Sequence, residues 1–90
     1  MNITIAIVDD KKIELETIET FLRFYIKNFL SACESRINIE TFYCAKDFLC
    51  VFDPKIYQVV VLGVNMHDIF KLIGDNDVKF IFIKPEEEIS

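Results

Sequence analysis

Two short runs in this sequence, Ile3–Val8 and Val59–Leu62, are apolar at almost every position and do not alternate with polar residues. A strand with one wet face alternates; a run that does not is covered on both faces. Between and around these runs lie segments with helical spacing. Strands buried on both faces and interleaved with helices predict a parallel sheet, right-handed crossovers and helices on each side.

The spacing predicts a long helix from Lys11 to Leu30, with Leu15, Ile18, Leu22, Tyr25, Ile26 and Phe29 on one inward stripe. Glu19 and Arg23 stand in the favourable i, i+4 order. Ser31–Arg36 is a polar connector, and Ile37–Tyr43 alternates well enough for a second strand. A short helix follows, Ala45–Phe52, with Phe48, Leu49 and Phe52 inward and Asp53-Pro54 ending it. Tyr57–Leu62 is the third strand. Asp68 is expected to cap a brief helix, Ile69–Ile73, with Gly74 just past its last turn. Val78–Ile83 is a fourth strand, followed by Lys84-Pro85 and an acidic tail. The order βαβαβαβ contains no repeat and no linker, so residues 1–90 are read as one domain.

Ninety residues supply one core, and 52% hydrophobic residues argue against disorder and for tight packing or burial against a partner. The net charge of −5, with no cluster of Lys and Arg, argues against direct nucleic-acid binding. Neither a signal peptide nor an apolar run of membrane-spanning length is visible, so a cytoplasmic protein is expected. Cys33, Cys44 and Cys50 lack CxxC spacing and are read as reduced, partly buried thiols. His67 is the only histidine, which leaves no basis for a zinc site or a His-assisted nucleophile. It is read as an exposed loop residue without a specific task.

Parallel α/β sheets carry functional groups at the carboxyl ends of their strands. Here those positions hold Asp9 and Asp10, then Gly63, then Lys84. Ile5-Ala6-Ile7-Val8-Asp9-Asp10, the long helix, Ile39-Glu40-Thr41-Phe42 and the Phe48-Leu49 helix together resemble receiver domains of bacterial two-component response regulators. The closest likeness is to those joined to LytTR-type DNA-binding domains. The resemblance extends over residues 1–62 and is patchy beyond.

It implies a flavodoxin-like three-layer α/β/α fold, truncated to a four-stranded parallel sheet. In that family an acidic pair after the first strand holds Mg2+, an aspartate after the third accepts phosphate, and a lysine before proline contacts the phosphoryl group. Asp9 and Asp10 match the pair, and Lys84-Pro85 matches the lysine and proline. The acceptor's place holds Gly63, which has no oxygen to phosphorylate. Two carboxylates without the third would attract Mg2+ only weakly. With no phosphate to meet, Lys84 is expected to neutralise Asp9 and Asp10 instead. Only fifteen residues, Gly63 to Asp77, separate the third strand from the last. One strand and its helix are therefore missing relative to the family, and the last strand corresponds to the family's fourth or, as Lys84-Pro85 suggests, its fifth.

On the long helix, Ile13, Thr17, Thr20 and Phe24 form an uncharged ridge opposite the inward stripe, with Phe21 on its flank. Phe80 and Phe82 add apolar surface on the last strand. An uncharged ridge on an outward helix face is expected to bind protein. The reading is a non-phosphorylatable receiver-like module that acts by protein–protein interaction and is not an enzyme. Its partner would be a second copy in a homodimer, a response regulator or a histidine kinase. Two alternatives stand beside it: a phosphate-accepting receiver that uses another residue, and a remnant of a longer transcriptional regulator.

Overall fold

A computed structural model describes residues 2–74 and 76–84 of the chain. Strand β1 is Ile3–Val8, followed by helix α1 (Lys12–Phe29), β2 (Ile37–Phe42), α2 (Ala45–Val51), β3 (Val59–Leu62), α3 (Asp68–Ile73) and β4 (Lys79–Phe82). Single 3-10 segments at Ser31–Arg36 and Val64–Met66 complete the connections. The four strands form one all-parallel sheet in the order β2-β1-β3-β4. This is a three-layer α/β/α arrangement, and its order is that of the first four strands of a flavodoxin-like sheet. β4 pairs with β3 and so occupies the fourth strand's place in that order.

Each sheet face has its own core. Ile7, Leu15 and Val61 are buried beneath α1, with Ile5, Ile18, Leu22, Ile39, Val59 and Ile83 packed around them. The opposite face buries Ala6, Val8, Phe48, Tyr57, Val60, Leu62, Ile69 and Val78 under α2 and α3. Phe48 anchors that layer, its ring edge-on to Phe42 at 5.3 Å and to Tyr57 at 5.8 Å. Two polar groups at the edges of these layers are matched: the Tyr57 hydroxyl donates to Glu40 Oε1 at 2.9 Å, and Thr4 N–H donates to Gln58 Oε1 at 2.7 Å. Such pairing is what lets polar atoms sit against an apolar layer.

Several sequence expectations need correction. Tyr25 and Phe29 are exposed rather than part of the inward stripe. β3 begins at Val59, opposite Ile5 of β1, so the sheet is only two strands wide under the last turns of α1. The two rings pack against each other instead, tilted by 32° with centroids 5.0 Å apart. Asp68 is the first residue of α3, makes no capping hydrogen bond, and lies near Lys71 at 3.5 Å. Gly74 does end α3, donating to the Phe70 carbonyl at 2.7 Å, but with ordinary right-handed backbone. Its missing side chain has a different reason: a Cβ there would collide with the Phe70 carbonyl and ring. All three cysteines are exposed, not partly buried. Pro85 and the acidic tail lie outside the described residues, and among those described no helix is long and apolar enough to cross a membrane.

Candidate functional site

The crevice at the carboxyl edge of the sheet, where strand order reverses between β1 and β3, is where folds of this kind bind ligands. Ladder bonds continue one residue past each strand and fix this edge. Asp9 N–H donates to the Phe42 carbonyl at 3.0 Å, and Gly63 N–H donates to the Val8 carbonyl at 2.8 Å. Asp9 and Gly63 are thereby held side by side.

What they do there differs from a simple acidic rim. Asp9 is only 1% exposed. Its Oδ1 accepts the Lys11 N–H at 2.9 Å, a local turn of the kind Asp side chains favour just before a helix. Its Oδ2 is buried and has no hydrogen-bond partner. That oxygen points over Gly63: a Cβ built at residue 63 would meet Asp9 Cγ at 2.5 Å, and Oδ2 more closely still. The Asp9 carboxyl fills the volume that a side chain at residue 63 would need. Burial raises its pKa above the usual carboxylate value, the Lys11 hydrogen bond opposes this, and the nearby Glu14 and Asp10 charges add to it.

Asp10 is exposed, and Asn65 Nδ2 donates weakly to its Oδ2 at 3.4 Å. The acidic pair therefore splits, one carboxyl turned into the protein and one to solvent. Mg2+ takes a near-octahedral oxygen shell. As placed, of the pair only Asp10 turns its carboxylate to solvent, Gly63 offers no side chain, and no three His, Cys, Asp or Glu side chains gather among the described residues. These residues do not fit a magnesium site unless Asp9 first turns outward.

Lys84 is the clearest departure. It forms no ion pair with Asp9 or Asp10. β4 stands two places from β1 in the sheet, and Lys84 borders a hollow shared with Ile13, Glu14, Thr17, Val64 and Ile83 beside the start of α1. With no ion pair to either acid, Lys84 ends on this hollow, across β3 from β1.

The ridge residues Ile13, Thr17, Thr20, Phe21 and Phe24 lie together on the outer side of α1 and line one open hollow with Glu16. Ile13, Phe21 and Phe24 are strongly exposed. Phe80 and Phe82 do not join them. Both pack edge-on against Phe70 of α3, at 5.1 and 5.3 Å, on the other face of the sheet. The apolar surface that β4 gives to the α1 side comes from Ile81 and Ile83, which floor a second groove with Val61 beneath Ile18, Phe21 and Leu22.

His67 is the residue that sequence reasoning passed over. It is half-buried, its Nε2–H donates to the Ile83 carbonyl at 2.8 Å, and its ring stands edge-on to Phe82. It ties the loop after β3 to the end of β4. A lone histidine carries no directional signal in sequence; only the adjacency of two strand ends gives it a partner. No protein-family model matches the chain, and neither a curated protein nor a solved structure is found to match it.

Proposed function

We propose that this chain is a receiver-like signalling module that has lost its phosphate acceptor and works in the bacterial cytoplasm by docking to another two-component protein, without catalysis of its own. One observation carries the reading: at Gly63, the position that the resemblance assigns to the acceptor, there is no side chain, and the Asp9 carboxyl closes the space above it. Phosphorylation of a receiver needs an oxygen nucleophile at that point and a cation to screen it. The first is missing, and the second lacks its ligand set. The arrangement of strands around the switch point, the acidic pair and the Lys84-Pro85 sequence support descent from a phosphate-accepting form. The exposed aromatic ridge on α1 supports a role in binding protein. The uniformly acidic balance supports a protein rather than a nucleic-acid partner.

The test is incubation with acetyl phosphate and Mg2+, read by intact mass. The expected result is an unmodified chain. A stoichiometric, acid-labile phosphoryl adduct would overturn the proposal and point to another acceptor, Asp68 being the nearest carboxylate downstream.

A further inference from the structure

The outer side of α1 carries a pattern with a property of its own. Ile13, Thr17, Thr20 and Phe24 recur at intervals of four, three and four, the spacing of a helix-packing seam. Leu15 and Leu22 lie on the opposite side of the helix, against the sheet. Along the seam the side chains run large, small, small, large. The series reads the same from either end, about a centre midway between Ile18 and Glu19.

Two helices related by a two-fold axis and running antiparallel place residues equidistant from that centre beside one another. From this symmetry we infer that α1 pairs antiparallel with α1 of a second copy of the chain. Ile13 then faces the partner's Phe24, and Thr17 faces the partner's Thr20. The hollow of about 510 Å³ bordered by Ile13, Thr17, Thr20 and Phe24 receives the partner's Phe24. The Thr17 hydroxyl already donates to the Ile13 carbonyl at 2.8 Å, so burying it strands no donor.

Charge selects the direction. On one side of the seam, Glu16 and the partner's Arg23 fall within about 3 Å of each other along the helix axis. In the single chain Arg23 is paired with Glu19 at 2.8 Å along the same helix, and the dimer would share it with Glu16 of the second copy. A parallel pairing would instead set Lys27 beside Lys27. A partner of unrelated sequence has no reason to match this symmetry, whereas a second copy matches it by construction.

Ile13, Phe21 and Phe24 are 79%, 65% and 62% exposed. A seam built on these few side chains falls short of the ~800 Å² per partner of a standard interface. Such a dimer is micromolar or weaker. The inference deepens the docking role proposed above and rests on it, naming the partner as a second copy.

Sedimentation velocity on the whole chain, from micromolar to millimolar concentration, tests it. The mass should climb from monomer to dimer, and Phe24→Glu should remain monomeric with unchanged far-ultraviolet circular dichroism. Glu16→Arg and Arg23→Glu should each weaken the dimer about three- to tenfold, and the double variant should restore it. A monomer at every concentration, a dimer indifferent to Phe24→Glu, or a double variant no better than the singles would each overturn the inference. The phosphoryl-adduct assay is scored separately. A monomer that takes no phosphate removes self-pairing and leaves the docking module standing, whereas an adduct removes the docking reading whatever the mass.

Discussion

A single carbon added at residue 63 probes the contact on which the site depends. Gly63 has φ −62° and ψ 170°, backbone that alanine adopts without strain. Taken alone, Gly→Ala at such a position stabilises by about 0.4–1 kcal/mol, because it narrows the unfolded ensemble. Here the new Cβ would sit 2.5 Å from Asp9 Cγ and 3.0 Å from Asp9 Cβ, where ordinary contact begins at 3.4 Å. The proximity of Asp9 Cβ means that rotating the carboxyl tip is insufficient and the whole side chain must shift. Overpacking of this size costs about 1–3 kcal/mol. Loss of the hydrogen bond from Lys11 N–H adds about 0.5–1.5 kcal/mol, partly offset as Oδ2 regains water. The expected net effect of Gly63→Ala is a loss of about 1–3 kcal/mol, or about 4–8 °C in Tm for each kcal/mol. In an Asp9→Ala background the carboxyl is gone and only the Cβ at 3.0 Å remains, so the same substitution should cost much less or stabilise. Urea unfolding of the four proteins, followed by circular dichroism with an unchanged m-value, closes the cycle. Equal effects of Gly63→Ala with and without the Asp9 side chain would refute the interlock.

Three further outcomes are expected. Burial raises the Asp9 pKa above its unfolded value of 3.8, so the folded state holds the proton more tightly. The stability that this confers is present below pH 3.8 and is lost as pH rises through the folded value. Asp9→Asn should therefore gain stability relative to the parent across that window and hold the gain at neutral pH, and a constant difference at all pH values would contradict this. Tyr57 is pushed up to about 12 by burial and by its bond to Glu40. Ultraviolet difference titration should show one tyrosine ionising at that pH, and Glu40→Gln should bring it down. Phe48→Ala, which empties a fully buried site touching three aromatic rings, should cost about 3–5 kcal/mol in chemical unfolding.

The sheet was legible because the residues that build it leave a strong pattern. Ala6, Val8, Val60 and Leu62 face one way while Ile5, Ile7, Val59 and Val61 face the other, and unbroken apolar runs are what such strands require. The place of Asp9 and Gly63 at adjacent strand ends followed from the same register. Side-chain direction did not. Periodicity locates a Cα but cannot say that the Asp9 carboxyl turns inward, because that choice is made by the Lys11 N–H and by the gap above Gly63. Lys84 was misjudged for a related reason: its distance from the acids depends on which strand neighbours β3, a long-range pairing that local sequence does not encode. Tyr25 and Phe29 kept a correct helical phase yet found no floor, since strand length rather than helix spacing sets how far the sheet reaches.

The interlock between Asp9 and Gly63 also bears on how such a sequence changes over generations. Any side chain entering at residue 63 meets an occupied volume, and any rearrangement of Asp9 first opens an unfilled one. Each single step that changes side-chain volume is disfavoured in the presence of the other residue, although a joint step need not be. Descendants of this chain should therefore keep glycine at residue 63 for as long as residue 9 carries a side chain of this shape, so that side-chain size at two sites far apart in sequence is inherited as one character.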